Sequence, residues 1–175
     1  ASDVYKRQDL GAAPGSWSLG AAERVGAQGK VLACDIQSTV TVFPPNVEFH
    51  QEDVFQRSEA FERQLAETGP FHVVMSDMAP QTTGTKFTDQ ARSLELCLEA
   101  LAVAEKYLVK GGSFVVKIFM GPDVGELLKG MRPRFARVTS FKPQSSRVES
   151  KETFFVGLGF KGKAVSYTHL TLPTN

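Results

Sequence analysis

The sequence predicts an α/β domain built on a mostly parallel sheet. Apolar, β-prone runs alternate along the chain with stretches of helical period. Several of these runs end on an acidic residue where a loop begins. The run Gly112–Phe119 is apolar on successive positions, as expected of a strand covered on both faces, except that it contains Lys117.

The elements follow in order. Val4–Leu10 reads as a first strand, then a glycine loop and a helix near Trp17–Val25. Lys30–Asp35 is a short strand and Val47–His50 a weaker one. Ser58–Glu67 has helical period, and Phe71–Ser76 is a β-branched strand. Asp89–Tyr107 is a long amphipathic helix with Leu94, Cys97, Leu98 and Leu101 assigned to one face. Gly111-Gly112 is expected to end that unit and open the Lys117 strand. A short helix over Val124–Met131 precedes strands near Arg134–Phe141 and Thr153–Leu158.

A chain of 175 residues, 42% hydrophobic and 22% charged, suits one globular domain with a real core, assigned to residues 1–163. No apolar run approaches the roughly 18 residues of a membrane span. No secretory signal pattern opens the chain. Cys34 and Cys97 lie in apolar segments without metal-ligand spacing. They are expected to be buried free thiols of a cytosol-like compartment, with no metal site. Ser2–Gln8 and Val165–Asn175 resemble translated sequencing-adapter read-through. Residues 1–8 and 164–175 are therefore set aside as a non-native leader and tail, and the domain as a fragment cut at both ends.

The net charge of +1 hides an asymmetry. Residues 1–110 carry 10 Lys/Arg against 15 Asp/Glu, and residues 111–175 carry 10 against 4. A basic half on a near-neutral protein points to a polyanionic partner.

The chemistry concentrates at strand ends. Asp9, Asp35, Asp53, Asp77 and Lys117 all fall at or just after the ends of expected parallel strands. In open parallel sheets that edge, near the switch in strand order, is where ligands bind. Burial of an ammonium such as that of Lys117 is costly unless it is partnered or used, and burial favours a lysine's neutral, proton-accepting form.

Asp9–Ser18 reads DLGAAPGSWS. Its small residues allow close backbone approach, and the helix behind it presents free N–H groups. The Gly11-x-x-x-Gly15 spacing is not the dinucleotide G-x-G-x-x-G, and Pro14 removes one N–H from any pyrophosphate cradle. Asp35, 20 residues beyond Gly15, suits a carboxylate that binds ribose hydroxyls. These features describe a nucleoside-like cofactor without pyrophosphate, and S-adenosylmethionine meets that description. Asp53 is placed to accept from an adenine amino group, and Trp17 to pack either near the methionine portion or in the core. Gln81–Lys86, after Ser76-Asp77-Met78-Ala79-Pro80, either touches substrate or is an ordinary connection.

Three motifs, DLGAAPGSWS (Asp9–Ser18), SDMAP (Ser76–Pro80) and SFVVKIF (Ser113–Phe119), resemble the RrmJ/FtsJ family of RNA ribose 2′-O-methyltransferases. Pro143–Thr153 (PQSSRVESKET) resembles the family's C-terminal signature. The resemblance spans about Asp9–Gly162 in order and spacing. It implies a Rossmann-like methyltransferase fold with an antiparallel last strand. It also implies a Lys-Asp-Lys-Glu catalytic set, of which Asp77, Lys117 and Glu152 match the last three. The first lysine belongs to a helical segment well before the first strand, and Lys6 lies too close to Asp9 to match it. As S-adenosylmethionine-binding positions the resemblance carries over Gly15, Trp17, Asp35, Asp53 and Asp77, and the loop reading adds Gly11. Ser16 stands where many members have a second glycine.

The implied reaction is methyl transfer to a ribose 2′-oxygen of RNA, a uridine of the large ribosomal subunit. Lys117 is the proton acceptor or orients the hydroxyl, Asp77 positions it, and Glu152 holds its geometry or contacts the ribose. Arg134, Arg137, Lys142, Arg147 and Lys151 are the candidate phosphate contacts, although no aromatic platform for single strands stands out. The protein is expected to act as a cytoplasmic monomer. Two further readings stay open, a methyltransferase of tRNA or cap and a cofactor- or RNA-binding module without catalysis. A lysine encoded about 25–30 residues before Asp9 favours the enzyme.

Overall fold

The computed structural model describes residues 4–13, 15–142 and 152–163. Its elements are β1 (Lys6–Leu10), α1 (Ser16–Val25), β2 (Lys30–Asp35), β3 (Val47–Gln51), α2 (Glu59–Thr68) and β4 (Phe71–Ser76). They continue as α3 (Lys86–Tyr107), β5 (Leu108–Phe119), α4 (Val124–Met131), β6 (Phe135–Phe141) and β7 (Glu152–Phe160). The seven strands form one sheet in the order β3-β2-β1-β4-β5-β7-β6. β1 to β5 run parallel, and β7 lies antiparallel between β5 and β6. Strand order reverses between β1 and β4, which opens a crevice at their carboxyl ends.

Alternation along each strand divides the core in two. Leu32, Cys34, Val74, Phe114, Val116 and Ile118 face a layer that includes Phe61 and Leu65 of α2, Leu101 of α3 and Leu127 of α4. Val31, Ala33, Val73 and Met75 face Ala21, Ala22 and Val25 of α1. α2 starts where Ser58 accepts the Phe61 N–H, an N-cap that satisfies one otherwise orphan donor.

The elements match the sequence expectations with three corrections. β5 leaves α3 directly at Leu108, so Gly111-Gly112 lies inside the strand. Gly111 takes φ +84°, and the β4–β5 register shifts between Phe71 and Val73. The glycines therefore make an irregularity in the strand and not its boundary. The Lys117 run is not fully buried on both faces, because Val115, Lys117 and Phe119 are only half-buried. Leu98 is 39% exposed, since the inward stripe of α3 runs through Ser93, Cys97, Ala100, Leu101 and Ala104. Small residues there bring the helix close to the sheet.

Lys6, Arg7 and Gln8, within the segment set aside as leader, open β1; all three pair with β2, and Arg7 and Gln8 also pair with β4. Residues 164–175 lie outside the described residues. Among the described residues, no helix is long and apolar enough to cross a membrane.

Candidate active site

The strand-end acids take three different positions. Asp35 ends β2 and clamps two loops: its Oδ2 accepts the Ala13 N–H at 3.0 Å and its Oδ1 the Gln37 N–H at 2.8 Å. It thereby ties the glycine loop to the segment after β2. Asp53 lies past β3, where its Oδ1 accepts the Phe55 N–H at 2.9 Å and closes a turn. Both carboxylates keep lone pairs for a ligand. Asp9 is fully buried under the glycine loop. Its Oδ2 accepts the Ser18 hydroxyl at 2.5 Å, and its Oδ1 has no protein partner. Burial pushes its carboxyl up to about 7, the Ser18 hydroxyl offsets part of that, and the charges of Asp77 and Asp35 add to it.

Asp77 follows β4 directly and meets Lys117 of the adjacent β5. Lys117 Nζ is 2.9 Å from Asp77 Oδ1 and 3.7 Å from Glu152 Oε1. The lysine side chain is 12% exposed, so the ion pair is held largely out of water. Glu152 is 35 residues away in sequence, yet antiparallel β7 begins opposite Phe119 and delivers it there. α3 fixes the lysine's backbone from behind. Cys97 Sγ donates to the Lys117 carbonyl at 3.1 Å, and the Phe119 N–H donates to Ser93 Oγ at 3.0 Å. Gln90 Nε2 donates to the Met120 carbonyl at 2.8 Å. The sequence reading did not pick out these three supports. Their signal is polar Gln90 and Ser93 in line with Cys97 along α3.

A cavity of about 630 Å³ opens at the crevice, within the usual range of small-ligand sites. Gly11, Asp35, Asp53, Asp77 and Lys117 line it, together with the apolar Ile36, Val54, Phe55 and Met78. Gln81 reaches it from the loop after β4, and Thr83 of that loop is tied down, its N–H and hydroxyl both 2.8 Å from Asp89 Oδ1.

Gly15, Trp17 and Glu152 stand outside the lining. Gly15 takes φ +120° beneath Phe43, whose ring carbon would lie 2.8 Å from an added Cβ. That leaves no room for a side chain. Trp17 stacks on Phe154 with ring centroids 5.2 Å apart. Among the candidate phosphate contacts, Arg137 and Lys142 are exposed. Arg134 is engaged by Glu105 Oε2 at 2.9 Å and the Gly130 carbonyl at 2.7 Å. Arg147 and Lys151 lie outside the described residues, as does most of the C-terminal signature.

The chain is similar to several known proteins. Ribosomal RNA large subunit methyltransferase E of Nitratidesulfovibrio vulgaris (strain Miyazaki F) is 76% identical over 154 residues, 88% of this chain and 77% of that protein. The protein of the same name from Bdellovibrio bacteriovorus is 50% identical over 156 residues, 87% of this chain and 78% of its own length. A Plasmodium falciparum protein, described in its crystal structure as a ribosomal RNA methyltransferase, superposes with a TM-score of 0.75. It covers 91% of this chain and 88% of its own at 24% identity, and so speaks to the fold alone. The sequence pattern of the FtsJ-like methyltransferases matches residues 6–160, from the first strand to the last, and the chain belongs to that family.

Proposed function

We propose that the protein methylates the 2′-oxygen of a ribose in RNA, a uridine of the large-subunit ribosomal RNA, with S-adenosylmethionine as donor. The observation that carries this reading is the Lys117–Asp77 pair on the wall of a cavity that Asp35 and Asp53 also line. The cavity suits the donor by chemistry. Asp35 has lone pairs for ribose hydroxyls, Asp53 for an adenine amino group, and Ile36, Val54 and Phe55 offer apolar walls for a base. Its carboxylates favour a cation, and the small residues from Gly11 to Gly15 let the backbone come close. S-adenosylmethionine supplies an electrophilic methyl on a sulfonium, a group that needs no covalent help from protein.

The chain's own residues then have to bind, align and deprotonate. Lys117 Nζ orients the ribose hydroxyl as an ammonium or, after giving up its own proton, accepts the hydroxyl's proton, without whose loss the oxygen is a poor nucleophile. Asp77 holds the amine in place from the cofactor side. Glu152, the more distant acid, restrains it from the substrate side. Alignment of the hydroxyl supplies most of the remaining acceleration. Arg137, Lys142, Arg147 and Lys151 are the proposed phosphate contacts, and the enzyme acts as a cytoplasmic monomer.

Two measurements test the reading. Asp35→Ala is expected to weaken S-adenosylmethionine binding by tenfold or more in titration calorimetry; unchanged affinity removes the ribose assignment. Lys117→Ala is expected to abolish methyl transfer to undermodified large ribosomal subunits while sparing cofactor affinity; retained turnover removes Lys117 from its role.

A further inference from the structure

The face of the sheet that carries Lys117 continues outward as a row of aromatic rings. Lys117 of β5 lies directly opposite Phe154 of β7, and Phe154 lies directly opposite Phe141 of β6. Residues directly opposite across an antiparallel pair share a face. The three side chains therefore stand side by side, with Phe141 two inter-strand spacings, roughly 10 Å, from the lysine's strand position. Phe141 stacks on Phe154 with centroids 5.2 Å apart and planes inclined by 11°. Phe154 is in turn stacked on Trp17 at 5.2 Å and is itself buried. Phe141 ends the row and stays 47% exposed despite its stacked ring.

An exposed, rigidly backed phenyl on an edge strand is unfavourable in water and invites unwanted association. Among the described residues its ring contact is with Phe154 alone. Its surroundings match a nucleotide better than another protein. Arg137 and Thr139 share its face of β6, and exposed Lys142 follows it in the chain. Residues 111–175, which contain the row, carry the chain's excess of positive charge, 10 Lys/Arg against 4 Asp/Glu. An aromatic ring bordered by cations is the arrangement that holds a single-stranded base by its π-face and its phosphates by charge.

We propose that Phe141 is a stacking platform for a base of the RNA substrate beside the nucleotide presented to Lys117. Buried Phe154, backed by half-buried Trp17, keeps the ring rigid. The proposal rests on the reading of the protein as an RNA methyltransferase and adds how its substrate is oriented. It adds a platform that does not stand out in the sequence. The row is invisible in sequence because Phe141 and Phe154 are brought together only by the β6–β7 register.

The test separates base stacking from phosphate attraction. A short fluorescein-labelled single-stranded RNA and an abasic chain of the same length are titrated by anisotropy into wild type, Phe141→Leu and Phe141→Trp. Leucine keeps apolar volume and removes the π-face, so folding is preserved. Wild type is expected to prefer the base-bearing RNA by about tenfold. The leucine variant should lose most of that preference at unchanged affinity for the abasic chain, and the tryptophan variant should keep it. Full preference in the leucine variant overturns the platform and leaves the RNA reading standing. Equal binding of both chains by wild type, or failure to bind either, overturns the platform, while the RNA reading falls only if methyl transfer to undermodified large subunits fails.

Discussion

Asp9 couples the fold to pH. Its carboxyl is pushed up to about 7 in the folded chain, from 3.8 when solvated. The native state therefore holds a proton that the unfolded chain has released. The contribution to stability is complete below about pH 4 and is lost as pH rises toward 7. Asp9→Asn keeps an acceptor for the Ser18 hydroxyl and has no charge to bury. Urea denaturation of the two proteins should diverge by on the order of 3 kcal/mol between pH 5 and pH 8, with the variant gaining. Parallel pH curves exclude the assignment. One position away, Gln8 lies in register between Leu32 and Val74, 0% exposed, with neither amide atom hydrogen-bonded. An orphaned amide at that depth costs about 1–3 kcal/mol. Gln8→Leu should raise the denaturation midpoint accordingly, and a drop would show that the amide has a partner such as water.

At the scale of elements, α3 does more than cover the sheet. Through Gln90, Ser93 and Cys97 it holds the backbone of β5 from Lys117 to Met120. Ser93→Ala orphans the Phe119 N–H, and its expected cost is about 1–3 kcal/mol, measured as a lower denaturation midpoint. Methyl transfer should fall with it if the lysine's placement depends on this support. Element by element, the bounds of β2, β4 and α4 were legible in the sequence because alternation and helical period are local signals. The start of β5 was not. A glycine pair reads as a terminator, and only pairing with β4 shows that the strand runs through it. Leu98 misled for a related reason, because helical period allows either of two adjacent stripes and only packing selects the one through Ser93 and Ala100.

Across the whole molecule, both thiols are shielded. Burial pushes the Cys34 thiol far up and the Cys97 thiol to about 12. Neither should react with an aromatic disulfide reagent while the sheet is intact, and their modification should follow global unfolding kinetics. Rapid labelling in native buffer would mean that the core opens locally. The candidate site divides along the same line of local against long-range information. The acids at the ends of parallel strands could be found from the sequence because parallel strands send their carboxyl ends to one edge. The meeting of Glu152 with Lys117 was available only through family resemblance, since it depends on an antiparallel insertion with no local mark.

That insertion has a consequence for how the protein is made. Among the described strands β7 is the last in chain order, yet it occupies an interior place between β5 and β6. A nascent chain that has released everything up to β6 still shows an open edge of β5 and an unpaired β6, and the lysine has only one of its two acids. Emergence of β7 closes the sheet and completes the lysine's surroundings in one event. A chain terminated before β7 therefore keeps an open strand edge and is a sticky product, suited to removal by proteolysis.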